Sequence, residues 1–447
     1  MKPGSYHGRW FRPRSPERAA VGTLELSEDA HVTLKLFESQ GDRDLSPIPI
    51  LVGNIVGGRP ITLLDCNLTE STSSAFSDDS VSTYVPGRLL IGEAFESIED
   101  VRFQRAACDF NYLLEWLGPA SLKSSLHKIE SIKVAPIRTS LGEGQIVIHR
   151  MAKSRIGIFQ SSLEEAASVA FEAPLALTID EWHERYFHPF ANLLTLATGR
   201  PNLRDVVHLW PVPSEVTPNE VPIELIEKRW LFSSREAKSF SRADMYFRYE
   251  DIESAWPAII KRWYEMTRTA GSAINVYFSV VYNEHSYIEE QFSNIVEALE
   301  GYHRSTRDNR EVPDADHTRR LDAVLGSAPP EHREWLDTKL RFSNEPSLRK
   351  RLTDLIEASG DALEPFLRDR GAFLQKVLAT RNYLVHHNAD LRQRSIPLKE
   401  LWAYTFVLSM LMRATLLRDV LGDAGCARRF LAQSKEYRFQ TGRIKLP

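Results

Sequence analysis

Val21-Gly22-Thr23-Leu24-Glu25-Leu26-Ser27-Glu28-Asp29-Ala30-His31-Val32-Thr33-Leu34-Lys35-Leu36 alternates apolar and polar residues on both sides of a Ser-Glu-Asp break. Side chains in a strand point to opposite faces in turn, so a period of two with one apolar face predicts a half-buried hairpin. Short apolar runs recur at 48–56, 61–66, 89–91, 146–148, 156–159 and 169–177, separated by Gly, Pro, Ser and Asp. Many short strands with turn residues between them predict a β-rich domain, sandwich-like or an open barrel, over roughly the first 175 residues. No internal repeat is evident.

The period changes at Thr178-Ile179-Asp180-Glu181, a capping box, and helical spacing then continues to Leu196 before Gly199-Arg200-Pro201 stops it. Residues 202–248, with Trp210, Pro211, Pro213 and Pro218, predict irregular chain with two strands. From Tyr249 onward the pattern is helical. Ser286-Tyr287-Ile288-Glu289 reads as a second capping box, and Ile288, Phe292, Ile295, Val296 and Leu299 form one stripe at spacings of three and four. A polar interval, 305–330, reads as a long insertion, followed by helical segments at 331–340 extended by 348–358, then 363–386 and 398–421. The uncharged run from Leu401 to Met412 is far short of the roughly 20 residues that span a bilayer, so it reads as a buried helix. The expectation is an α+β protein: a β-rich, then mixed, domain over 1–248 and an all-α bundle over 249–447.

The chain has 447 residues, and its 56 Lys+Arg against 60 Asp+Glu leave a net charge of −4, which excludes a uniformly basic nucleic-acid coat. Any basic site must be local. From Lys376 to Pro447 there are 13 Lys/Arg and 5 Asp/Glu, a net of +8, leaving −12 on residues 1–375. A polyanion such as RNA would be drawn to the C-terminal part. Cys66, Cys108 and Cys426 lie far apart with no CxxC pair, which argues against a disulfide framework and a cysteine zinc site. Together with an N-terminus that carries Pro, Gly and Arg instead of an apolar run, this predicts a cytoplasmic protein with no membrane association.

Most chemical motifs fail on spacing. His183-Glu184 is followed by His188, five residues on from the first, whereas a zinc-binding helix needs histidines four apart. Gly53-Asn54-Ile55-Val56-Gly57-Gly58-Arg59-Pro60 lacks the Lys and Ser/Thr of a phosphate loop and reads as a hairpin turn. Trp10, Phe11, Tyr112 and Trp116 read as core. What remains is Arg381-Asn382-Tyr383-Leu384-Val385-His386-His387-Asn388: a fixed cation close to an imidazole that titrates near neutrality. Those are the groups needed to cleave RNA without a metal or other cofactor, with His386 exchanging protons and Arg381 holding the phosphate. Residues five apart on a helix differ by about 140°, so the pair cannot share a face. Either the helix distorts before His386, or a second copy completes the pocket across a two-fold axis. On spacing alone, a helix end finished by His and Asn is the favoured reading. Arg310 and His317 satisfy a similar loose pattern within the insertion.

The segment Arg381-Asn382-Tyr383-Leu384-Val385-His386 resembles the RNxxxH motif of HEPN domains, and Tyr287–Arg304 resembles the opening helix of their ApeA-like branch. Gly8-Arg9-Trp10-Phe11 with Pro13, Val21–Leu26, Leu63-Leu64-Asp65-Cys66 and Phe110–Leu117 are similar to the N-terminal domain of ApeA-type proteins. The resemblance implies anti-phage defence by abortive infection. The N-terminal domain would sense a phage-derived trigger, and a homodimeric, metal-independent HEPN endoribonuclease would cut host RNA, with tRNA the expected substrate. Products would carry 2′,3′-cyclic phosphate and 5′-hydroxyl ends. By position, Arg381 and His386 match the essential pair, Asn382 its companion, and His387 is an extra histidine beside it. The acidic helper found on the opening helix of many HEPN domains has Glu297 and Glu300 as candidates, Glu300 favoured. The competing readings are a non-catalytic RNA- or protein-binding bundle and the toxin half of a toxin–antitoxin pair.

Overall fold

The computed structural model describes the chain except for residues 40–46, 74–78, 119–134, 157–160, 213–220, 228–239, 387–388 and 424. It divides into two compact units, Met1–Ala191 with Asn202–Ser239, and Asn192–Pro201 with Phe240–Pro447. The architecture is α+β, as the change of period predicts.

The first unit is built on thirteen strands: β1 Gly4–Phe11, β2 Ala20–Leu26, β3 Val32–Ser39, β4 Ile48–Ile55, β5 Pro60–Ser73, β6 Asp79–Val85, β7 Arg88–Ile91, β8 Phe103–Phe110, β9 Ile137–Gly142, β10 Gly144–Ile156, β11 Ser161–Leu177, β12 Arg204–Trp210 and β13 Ile223–Glu227. The opening hairpin forms in the expected register, Leu24 opposite Leu34 and Leu26 opposite Val32, with all four and Leu36 buried. The sheet order β4-β1-β2-β3-β6-β5 is closed by pairing of β4 with β5, so the first six strands make a closed barrel, not an open one. Closure follows from β5. Its first half pairs with both β4 and β7, then Asp65 takes φ +54 and the second half crosses to β6. Asp is among the few residues that tolerate that left-handed conformation. Trp10, Leu24, Leu34, Ile61, Leu63, Cys66 and Leu89 fill the interior. The sheet continues from β7 through β13, β12, β8, β11 and β10 to β9, taking in the two strands expected within 202–248.

Helices α1 (Leu113–Leu117) and α2 (Ile179–Trp182) belong to this unit, and Thr178 with Glu181 forms the reciprocal capping box read from sequence. A π-turn, His183–Phe187, leads into α3 (His188–Thr198), which begins in the first unit and ends in the second. The Gly53–Pro60 segment is the β4–β5 turn, with Gly57 at φ +70.

The second unit holds α4 (Tyr249–Ile252), α5 (Trp256–Tyr282), α6 (Ile288–Thr306), α7 (Asp314–Ser327), α8 (Pro330–Leu340), α9 (Leu348–Ala358), α10 (Arg370–His386), α11 (Ala389–Arg392), α12 (Leu398–Leu421), α13 (Cys426–Leu431) and α14 (Lys435–Thr441). The uncharged 401–412 run lies in α12, whose side chains are buried nearly all round, the mark of a central helix. It packs against α5, α6, α9 and α13. Two readings need correction. The Ser286 capping box does not form: α6 starts at Ile288, and the Ser286 hydroxyl donates instead to the Asn283 carbonyl, 3.1 Å away. The 305–330 insertion is largely helical, since it holds α7, which packs on α8, the helix expected at 331–340, with no buried residue in either. With no core face, α7 shows no apolar stripe of the kind that marks a helix in sequence. Among the described residues no helix is long and apolar enough to cross a membrane.

Candidate functional site

Phe373, Val377 and Thr380 recur along the buried stripe of α10. Phe373 stacks on Tyr404 of α12, ring centroids 5.4 Å apart. The Thr380 hydroxyl donates to the Lys376 carbonyl and accepts from the Ile396 amide, both at 2.8 Å. That pair of bonds ties the last turns of α10 to the chain that enters α12. One residue on, about 100° around the helix, Arg381 leaves the stripe half-buried. It lines a cleft of about 400 Å³ with Val385, four residues further on the same face, and with Ser293, Val296, Glu297, Glu300, Gly301 and Arg304 of α6.

Glu300 is the hub of this cleft. Its Oε2 lies 3.9 Å from Arg381 Nη2 and its Oε1 3.6 Å from Arg304 Nη2. Arg381 Nη1 donates to Asn382 Oδ1 at 3.4 Å, so the companion residue touches the arginine. Glu297 lines the same cleft without an ion pair among those described. His386 is elsewhere. α10 runs without interruption through His386, which is exposed at its end, and Val385 rather than His386 reaches the cleft. A helix that distorts before His386 is therefore not the solution, and within one chain Arg381 and His386 face apart by the 140° their spacing dictates. His387 lies outside the described residues. Arg310, from the looser pattern, pairs with Asp314 at 3.1 Å, and His317 lies near the Ser343 hydroxyl at 3.5 Å.

Behind the cleft is a network that sequence reasoning missed. Arg304 Nη2 also contacts Glu345 Oε2 at 3.1 Å, and Glu345 in turn faces Arg351, which is 1% exposed. Arg351 donates to Asn309 Oδ1 at 2.5 Å and to His303 Nδ1 at 3.3 Å. A guanidinium can only donate, so His303 Nδ1 accepts and Nε2–H donates to Asp354 at 3.2 Å. Burial lowers the His303 pKa, and the Arg351 charge adds to that against the pull of Asp354. The sequence signal was present in α6. Ser293, Glu297, Glu300 and Arg304 are spaced four, three and four apart on the side away from Phe292, Ile295, Leu299 and Tyr302.

The other candidates are structural. Trp10 and Trp116 are buried in the first unit. His183 and His188 stack with centroids 5.6 Å apart, but His183 Nε2 is bound to Glu227 Oε1 at 2.9 Å. Glu227 also takes Arg204 at 2.6 Å and Arg88 at 3.2 Å. Burial alone would raise the Glu227 pKa; the His183 and Arg204 contacts outweigh it and hold the carboxyl at about 2. The basic C-terminal segment is also less free than its charge suggests. Arg413 is buried, donating to the Leu196 carbonyl at 2.9 Å, while Arg428 pairs with Asp361 and Lys435 with Asp244.

Comparison with known proteins finds the family model for ApeA N-terminal domain 1 over residues 5–263 and that for Apea-like HEPN over residues 293–424. No curated protein and no solved structure matches the chain. The second match takes in most of α6 and all of α10, and with them every residue of the cleft. Since the first match alone covers more than half of the chain and the second covers its helical core, the chain belongs to the family that joins an ApeA N-terminal domain to an Apea-like HEPN domain.

Proposed function

We propose that this protein is a defence effector whose HEPN domain cleaves host RNA, with tRNA the expected substrate, when phage infection is sensed through the N-terminal domain. The observation that carries the reading is Arg381, placed by α10 in a cleft with Glu300 inside the HEPN match, five residues ahead of an exposed His386.

The chemistry follows from those groups. The ribose 2′-hydroxyl attacks the adjacent phosphorus, a proton leaves that hydroxyl, and another reaches the departing 5′-oxygen. An imidazole can both accept and donate a proton, so His386 can serve either transfer. Arg381, a permanent planar cation, balances the charge that builds on the phosphoryl oxygens. Asn382 accepts a hydrogen bond from its guanidinium, and Glu300 faces it in the resting chain. Because one chain turns Arg381 and His386 apart, a homodimer supplies the pair, the histidine of one copy meeting the arginine of the other. The products are a 2′,3′-cyclic phosphate and a 5′-hydroxyl end.

One observation favours a second reading. An exposed His386 outside the cleft is also what an RNA-binding bundle without catalysis would show. Inducing wild type and His386→Ala in bacteria, with and without phage, and sequencing 5′-hydroxyl RNA ends separates the two. New ends in wild type alone support cleavage and reveal the substrate. Identical ends in both refute it.

A further inference from the structure

We propose that Arg304 is a second phosphate-holding residue of this cleft and that the Glu300 carboxylate occupies, in the resting chain, the seat that an RNA phosphate takes. The proposal rests on the reading of the cleft as the place where RNA is held.

Two guanidiniums from different helices, Arg304 on α6 and Arg381 on α10, converge on one carboxylate, each on its own oxygen, at 3.6 and 3.9 Å. A phosphodiester offers the same element, two anionic oxygens on one centre, to the same pair of donors. Neither distance is short enough for a hydrogen bond, so Glu300 neutralises the seat without locking it. Such loose, partly exposed pairs contribute little energy and yield readily to a better anion. Arg304 is also aimed. Its Nη2 lies 3.1 Å from Glu345, and Glu345 is held by Arg351, a guanidinium buried to 1% exposure and fixed by Asn309 and His303. This chain of contacts runs from the core to the cleft and positions the same Arg304 Nη2 that faces Glu300, while the side chain as a whole stays half-exposed. An ordinary surface pair on a helix needs no such support.

RNA entering the cleft would displace the Glu300 carboxylate and take both guanidiniums. Glu300 then acts as an internal competitor, so removing its charge strengthens binding, while removing Arg304 weakens it. The test measures binding of a labelled, mixed-sequence 2′-O-methyl oligoribonucleotide, which cannot supply the attacking hydroxyl, to the full-length protein. Expected are about fivefold tighter binding for Glu300→Gln and about tenfold weaker binding for Arg304→Ala, whose log–log salt slope falls by about 1. Arg304→Lys recovers part of the loss, and thermal melting verifies that each variant folds. With cleavable RNA, Arg304→Ala raises KM more than it lowers kcat. Equal affinity and salt slope for wild type and Arg304→Ala would overturn the second seat, and Glu300→Gln binding no tighter would overturn the internal competitor. The outcomes separate the two claims. If wild type cleaves no RNA but both variants shift binding as stated, the seat stands and the ribonuclease reading falls. If His386→Ala abolishes cleavage while neither variant shifts binding, the reverse holds.

Discussion

Thr380 and Arg381 are neighbours with opposite surroundings: one step of the helix takes the first into the core and the second into the cleft. That this segment is a helix is legible in sequence; which of its faces is buried is not, because apolar residues lie all round α10. Nor is the role of Glu300 over Glu297, since both lie on the polar side of α6 and only the position of α10 selects the one that meets Arg381. Arg304, Glu345 and Arg351 escaped for the same reason: their partners are up to 48 positions apart, as with Arg351 and His303. A guanidinium fork is what the cleft requires, so Arg381→Lys, which keeps the charge but loses the planar donors, is expected to lower kcat by about 100-fold, measured as 5′-hydroxyl end formation. Glu227 provides a residue-scale test in the first unit. Its carboxyl sits below its unfolded value, near 4.3, so the stability it adds is complete above that pH and is lost as pH falls toward its folded value of about 2. Glu227→Gln takes the carboxylate from Arg204 and His183, while Arg88 keeps Asp180, and should cost about 2 kcal/mol at pH 7. Its stability should also be flatter than that of wild type between pH 5 and 2, as followed by denaturant unfolding at each pH.

At the scale of elements, the first strand hairpin, the Thr178 capping box and α12 were readable because each announces itself locally: a period of two, a reciprocal cap, an uncharged run. Barrel closure was not, because it depends on β5 serving three neighbours through a kink at Asp65 that no local pattern requires. α7 was missed because a helix with no buried residue carries no stripe to read, whereas its partner α8 was expected at 331–340. The close approach of β1 and β4 tests the barrel core. A Cβ on Gly53 would overlap the ring of buried Trp10, so Gly53→Ala is expected to destabilise the first unit by about 1–3 kcal/mol, read as a lower midpoint of thermal unfolding. Full stability in that variant would mean that Trp10 does not pack on β4 as described.

For the whole molecule, the net +8 of residues 376–447 read as a basic patch, but folding buries Arg413 and pairs Arg428 and Lys435. Sequence reports charge; it does not report which charges fold together. The cleft therefore presents a few placed guanidiniums rather than a broad basic surface. The outward turn of His386 makes the copy number testable. If each centre combines Arg381 of one copy with His386 of another, Arg381→Ala and His386→Ala are each inactive alone. Mixed, they regain about a quarter of wild-type cleavage, since half the dimers are heterodimers with one intact centre. No recovery on mixing would place both groups in one chain. The most direct test of the central claim is cleavage of total RNA by purified full-length protein in excess EDTA, with end mapping, for wild type, Arg381→Ala and His386→Ala. New 5′-hydroxyl and 2′,3′-cyclic phosphate ends in wild type, reduced at least 100-fold in both variants, are the predicted result. Equal cleavage by His386→Ala, or no cleavage by wild type under any condition that includes the infected-cell extract, would contradict it.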